Sequence, residues 1–201
     1  IYNNQIFISL DPNVAKNITN INHAIAKGAC GFITPFCISR QKIRTSLPFL
    51  IEKDINKIYV NLFKADFKNK ESQPVIIGIT GTNGKTSTAL LLAQALRYQN
   101  KKIGVISSEG AGVYPNLAEN EYTTPPLDIN YKYLRSFYKK KCDYVIVECS
   151  SQGLHQGRLD GIHFTYSIIT NIDQDHIEYH KSQKNYINSK LKIMNQSTKS
   201  I

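Results

Sequence analysis

The sequence has no apolar run long enough to cross a bilayer. Its longest, Ala89 to Ala93, falls far short of the roughly 20 residues a spanning helix needs. The N-terminus, Ile1-Tyr2-Asn3-Asn4-Gln5, carries neither the basic nor the apolar stretch of a secretory signal. It also has no initiator Met, so the chain is expected to be a fragment. The four cysteines, Cys30, Cys37, Cys142 and Cys149, form no Cys-x-x-Cys pair and no Cys/His zinc spacing. That argues against a zinc site and leaves buried, reduced thiols as the expectation. No internal repeat and no low-complexity tract occurs. Acidic residues are few, 15 against 25 Lys and Arg, for a net charge of +10. Such a surplus raises a nucleic-acid partner as a question. The lysines are scattered, however, and no aromatic-basic recognition motif accompanies them. Lys139-Lys140-Lys141 ends an expected helix, where cations suit the macrodipole. What remains is a surface that favours anionic substrates, on a cytoplasmic protein with no nucleic-acid and no membrane partner.

Hydrophobic periodicity divides the chain in two. Strands are expected at Gln5 to Leu10, Cys30 to Thr34 and Phe49 to Ile51, with helices at Ile18 to Lys27 and Asp54 to Phe67. Asn69 to Pro74 is polar and reads as a linker. Beyond it, Val75 to Thr80 is the continuous apolar strand of a parallel sheet buried on both faces. Further strands are expected at Ile103 to Ile106, Tyr144 to Glu148 and Phe164 to Thr170. Helices are expected at Thr86 to Gln99, Ile129 to Lys140 and Gln183 to Met194. Strands alternating with helices predict an α/β fold: a small N-terminal α/β domain, then a partial phosphate-loop-type central domain with a mostly parallel sheet. The boundary is placed between residues 72 and 73.

Gly81-Thr82-Asn83-Gly84-Lys85-Thr86-Ser87 stands between an expected strand and an expected helix. Glycines let backbone N–H groups close around anionic oxygens, and the helix N-terminus adds partial positive charge. Lys85 can reach the β- and γ-phosphates, and the Thr86 hydroxyl can ligate Mg²⁺. The usual phosphate loop has glycine where Ile79 sits, so this one is tighter and starts at Gly81.

That tight form resembles the Mur ligase family, which includes the folylpolyglutamate synthetases. Three further segments carry the resemblance. Glu148-Cys149-Ser150-Ser151-Gln152-Gly153-Leu154-His155-Gln156-Gly157-Arg158 is similar to the family's E-V-S-S-H-x-L-x-Q-x-R. Thr170-Asn171-Ile172-Asp173-Gln174-Asp175-His176-Ile177-Glu178-Tyr179-His180 is similar to T-N-L-x-x-D-H-L-D-Y-H. Tyr122-Thr123-Thr124-Pro125 resembles a T-T-P loop. Lys190 falls where the family carries a modified lysine. The motif order points to the MurE-type branch.

The resemblance implies an ATP-dependent carbon–nitrogen ligase of peptidoglycan precursor synthesis. Such an enzyme adds meso-diaminopimelate, or lysine, to UDP-MurNAc-L-Ala-D-Glu through an acyl phosphate, and is usually a monomer. It implies ATP and Mg²⁺ as cofactors. Lys85, Glu148, His176 and Lys190 would be catalytic. Thr86 and Glu148 would hold one Mg²⁺; His176 and a carbamylated Lys190 would hold a second. Tyr122, Thr123, Thr124, Ser150, Gln156 and Arg158 would contact the UDP-MurNAc-peptide. Residues 1–72 would be the UDP-substrate-side domain, incomplete at its start. Residues 73–201 would be the ATP-binding domain, incomplete at its end and lacking the C-terminal domain.

Taken singly, these residues read otherwise. Glu148 suits a strand-end pair, Arg158 a surface ion pair, and Lys190 a solvated helix position. His176 and His180 at i, i+4 suggest zinc, but Glu178 lies midway between them, unlike H-E-x-x-H. Gln152 replaces the family histidine, Cys149 replaces valine, and Ser107-Ser108-Glu109-Gly110 replaces Gly-Thr-x-Gly. Asn195 to Ile201 does not continue the family pattern. A nucleotide-binding remnant without turnover and a folylpolyglutamate synthetase-like ligase are the alternatives.

Overall fold

The computed structural model describes residues 4–9, 13–35, 43, 45–66 and 73–201. Leu10, Cys37, Phe67 and most of the expected linker lie outside the described residues. The chain divides into two compact units, Ile1–Asn61 and Leu62–Ile201.

In the first unit, β1 (Gln5–Ile8), α1 (Val14–Ala26), β2 (Ala29–Thr34) and β3 (Phe49–Ile51) follow in order. The strands form a parallel sheet, β1-β2-β3. Helix α1 starts four residues before the expected Ile18. The Asn13 side chain accepts from the N–H groups of Ala15 and Lys16 at 3.0 and 3.1 Å, so it caps the helix. Gly28, at φ 87°, follows the helix end as expected. Ile21, Phe32 and Ile43 make the core, and the Phe32 and Phe49 rings stack at 5.1 Å. Cys30, near the start of β2, is exposed, which corrects the expectation of buried thiols; Cys142 and Cys149 are buried. Helix α2 (Ile55–Asp66) follows β3.

The second unit contains β4 (Val75–Thr80), α3 (Lys85–Tyr98), β5 (Ile103–Ser107), β6 (Gly110–Val113), β7 (Asn116–Ala118), α4 (Leu127–Lys139), β8 (Tyr144–Glu148), α5 (Ser151–His155), β9 (Phe164–Ile169), α6 (Ile177–His180), α7 (Gln183–Asn195) and β10 (Ser197–Ser200). The sheet order is β10-β9-β4-β8-β5-β6-β7, parallel from β10 to β5, with the antiparallel β6 and β7 at one edge. The mixed α/β class with a mostly parallel sheet is as expected. Five short elements, β6, β7, α5, α6 and β10, have no counterpart among the expected ones. Ser197–Ser200 pairs in parallel with Phe164–Ser167, so the C-terminal residues extend the sheet.

Alanines let α3 lie close on the sheet. Ala89 and Ala93 are fully buried among Ile77, Ile79, Ile103, Val105 and Ile146. Elsewhere on the sheet, glycine does the same work. A Cβ on Gly78 would stand 2.8 Å from Phe164 and from Ile193 of α7. Strand β4 lies between β8 and β9, with Ile79 opposite Glu148 and Thr80 opposite Ile169. The carboxyl ends of three neighbouring strands therefore meet, where open parallel sheets gather ligands. Gly78→Ala is expected to cost about 1–3 kcal/mol by overpacking. A denaturant midpoint equal to wild type would contradict the close seating of α7 on β4.

Candidate active site

The phosphate loop closes the carboxyl end of β4. Gly81 has φ 153°, and a Cβ there would lie 1.9 Å from Thr170 Oγ1, so close approach requires glycine. Gly84, at φ 80°, is the N-cap of α3 and offers no side-chain cap to the helix. A Cβ on Gly84 would meet nothing within 4 Å. The first turn of a 14-residue helix thus presents uncapped N–H donors to open space. That arrangement fits a nucleotide phosphate. Lys85 folds back, donating to the carbonyls of Gly81 and Thr82 at 2.9 and 2.8 Å.

Glu148 ends β8 and is 2% exposed. Its carboxylate accepts from Thr86 Oγ1 through both oxygens at 3.0 Å. Ser108 donates its N–H at 3.0 Å and its hydroxyl at 3.2 Å to Glu148 Oε2. The Ser107-Ser108 departure therefore completes the setting of this carboxylate. Thr86 and Glu148 together are hard oxygen donors of the kind Mg²⁺ takes.

Lys190, on α7, is 1% exposed. Its ammonium donates to the Gly81 carbonyl and sits 4.6 Å from the centre of the Tyr186 ring. Burial, then the Lys85 charge, lowers its pKa to about 8, with Asp175 opposing. His176 precedes α6 in the left-handed conformation, φ 51°. Its Nε2 lies 3.4 Å from Asp175 Oδ2. His180 does not join it as a zinc pair. The two His180 ring nitrogens face Ser151 Oγ at 3.1 Å and Ser189 Oγ at 3.3 Å in the interior. Among the described residues, no group of three or more His, Cys, Asp and Glu side chains could hold a metal. The expected ligand set relies instead on a hydroxyl and a modified lysine.

A cleft of about 460 Å³ brings Lys85, Tyr122, Thr123, Thr124, Glu148, Ser150, Arg158, His176 and Lys190 together. Arg158 donates through Nη1 to the Thr124 carbonyl at 2.8 Å and lies 5.4 Å from the Tyr122 ring centre. Gln156 is exposed and does not line the cleft; its Oε1 accepts from Arg158 Nε at 2.8 Å. Thr124 is buried, donating to the Glu148 carbonyl and accepting from Ser150 N–H. Ser150 Oγ in turn accepts from Gly153 N–H and caps α5. Tyr186 has no sequence expectation, and Ser108 is marked in the sequence only as a departure from Gly-Thr-x-Gly, not as a partner of Glu148. Tyr186 stands one helical turn before Lys190, a spacing that places both on one face.

A glycine loop at the end of the central strand of a parallel sheet, faced by a neighbouring strand-end carboxylate, defines a phosphate-loop α/β domain. The family model described as the Mur ligase middle domain matches residues 79–201, and the chain belongs to the Mur ligase family. It is 31% identical over 196 residues to the UDP-N-acetylmuramoyl-L-alanyl-D-glutamate--2,6-diaminopimelate ligase of Bacteroides thetaiotaomicron, covering 97% of this chain and 40% of the relative. A solved structure of a ligase of that name superposes over the whole chain with a TM-score of 0.82 at 26% identity, again covering 40% of the neighbour. The MurF ligase of Thermotoga maritima, solved with ADP, shares the fold: TM-score 0.64 and 14% identity, over 98% of this chain and 42% of that one. The chain thus spans about 40% of the length of these relatives.

Burial, then interaction with His155, His176 and Lys190, lowers the pKa of His180. The unfolded chain therefore binds this proton at a pH where the folded chain does not. Stability should fall as pH drops from about 6.5 toward the lowered folded value. Urea midpoints measured across that window should show a weaker decline in His180→Gln. An identical slope would contradict the neutral, buried state of His180.

Proposed function

We propose that the chain supplies the nucleotide- and precursor-binding parts of an ATP-dependent ligase adding meso-diaminopimelate, or lysine, to UDP-MurNAc-L-Ala-D-Glu. The observation that carries this reading is the convergence of the cations Lys85 and Arg158 with Glu148, His176 and Lys190 on one cleft. Joining a carboxylate to a triphosphate brings two anions together, which needs clustered cations. When bound, ATP with Mg²⁺ supplies the phosphoryl group that activates the precursor carboxylate.

The chain's own residues would divide the work. The first turn of α3 and Lys85 hold phosphate oxygens. Thr86 and Glu148 hold one Mg²⁺, with Ser108 fixing the carboxylate. His176 and Lys190 hold a second. Lys190 suits carbamylation because burial and Lys85 favour its neutral amine, the form that adds CO₂ with loss of a proton. Arg158, steadied by Gln156 and Tyr122, offers its fork to an anionic group of the precursor. Thr123 and Ser150 offer hydroxyls beside it, and Thr124 holds that wall to the end of β8. The Ser150-to-Arg158 segment supports the peptidoglycan branch over the folate branch. The reading implies a role in cell-wall synthesis, and so in cell shape and division. Among the described residues no helix is long and apolar enough to cross a membrane.

ADP titrated into the chain with Mg²⁺ should bind, and Lys85→Ala should weaken that binding at least tenfold, since a charge-assisted contact is lost. Equal affinity in the mutant would contradict the loop assignment. The protein encoded by the complete reading frame should release phosphate only when UDP-MurNAc-L-Ala-D-Glu and the amino acid are both present.

A further inference from the structure

Asn171 belongs to a motif quoted above, yet no role follows for it from the resemblance. It sits just past β9, at the point where that strand's end meets the phosphate loop. Its side chain grips one residue of the loop from both sides. Asn83 N–H donates to Asn171 Oδ1 at 3.0 Å, and Asn171 Nδ2 donates to the Asn83 carbonyl at 3.0 Å. The Asn171 main-chain carbonyl accepts from Thr82 N–H at 3.0 Å. Thr170 Oγ1 adds a bond to the Asn83 carbonyl at 2.7 Å. The second half of the loop is different. Among the described residues, the N–H groups of Gly84, Lys85 and Thr86 have no hydrogen-bond partner, and Gly84 brings no side-chain cap.

A phosphate cradle works by turning several backbone N–H groups to one point. Here the N–H groups of Thr82 and Asn83 are turned elsewhere, toward residue 171. We propose that Asn171 is a positioning residue for the nucleotide phosphates: by occupying both main-chain groups of Asn83 it holds the loop so that only the first turn of α3 faces the anion. The proposal rests on the nucleotide reading given above. Asn171 touches no phosphate itself. It acts through Asn83, as a side-chain copy of a strand partner placed where the β4–β9 ladder has ended. The seat is close: a Cβ on Gly81 would lie 3.2 Å from both the main-chain N and O of Asn171.

The test uses ADP with Mg²⁺ as the probe and amide exchange resolved by NMR. In Asn171→Ala, ADP should bind roughly tenfold more weakly, the scale of one to two net hydrogen bonds. The Asn83 amide should exchange faster, while the Thr82 amide, held by the main chain of residue 171, stays protected. A merely structural role would lower the melting temperature without moving the ADP affinity of the folded protein. If Asn171→Ala does not fold, Asn171→Asp keeps the acceptor, and its Asn83 amide should exchange as slowly as wild type; fast exchange there overturns the clamp. ADP affinity in Asn171→Ala within twofold of wild type overturns the proposal alone. A wild-type chain that binds no ADP overturns the nucleotide reading and this proposal with it.

Discussion

One carbonyl oxygen, that of Gly81, receives two ammonium groups. Lys85 reaches it from the start of α3 and Lys190 from the middle of α7. Like charges this close repel, and the burial of Lys190 removes much of the water that would screen them. The pair is stable because the rest of the fold holds it. The Tyr186 ring backs one ammonium, and the Tyr186 hydroxyl lies 2.9 Å from Thr82 Oγ1, tying α7 to the loop. An arriving anion relieves the repulsion. Burial and the Lys85 charge lower the Lys190 pKa to about 8, so loss of its proton relieves the same repulsion.

How far the sequence carried the fold depended on where each element's hydrogen bonds and side chains go. Strands β3, β4 and β8 fall on the expected residues, Phe49–Ile51, Val75–Thr80 and Tyr144–Glu148. The last two are nearly continuous apolar runs, the mark of a strand covered on both faces. β10 has no such mark. Ser197–Ser200 is polar, lies at the sheet edge and is held through backbone pairing with β9, which composition does not record. The β6–β7 hairpin is built on Gly110 and Gly112, where a Cβ would approach neighbouring carbonyl oxygens at 2.5 Å. Glycine there reads locally as loop, although tertiary crowding is the cause. The start of α1 was lost for a different reason, since its first turn depends on the Asn13 cap rather than on an apolar stripe.

The site divides along similar lines. Lys85 and Thr86 were singled out from local chemistry, a glycine turn between a strand and a helix, and the structure sets both at the start of α3. Glu148, His176, Lys190 and Arg158 were legible only through motif order, each being unremarkable alone. Their convergence on one cleft is new information from the fold. The contacts of Ser108 and Tyr186 were not legible, although Ser108 stood out as a departure from the motif. Ser108 meets Glu148 across 40 residues and Tyr186 meets Thr82 across 104. No local pattern encodes contacts of that span. Gln156 shows the converse: a motif residue with an expected substrate contact that stands instead behind Arg158.

Register in the parallel sheet links these two levels. Side chains alternate across a strand, so a slip of one residue turns every side chain to the other face. Strand β8 presents Glu148 to the phosphate loop because Ile79, and not a neighbour, stands opposite it. A slip would put Val147 or Cys149 in its place, neither able to accept from Thr86 and Ser108. Every buried apolar contact of Val145, Ile146 and Val147 resists that slip. The buried thiol of Cys149, whose pKa burial pushes well up, anchors the strand end as a small apolar group. The core thus does more than stabilise the domain. By fixing the phase of β8 between β4 and β5, it decides that a carboxylate faces Thr86 and Ser108 and accepts from both.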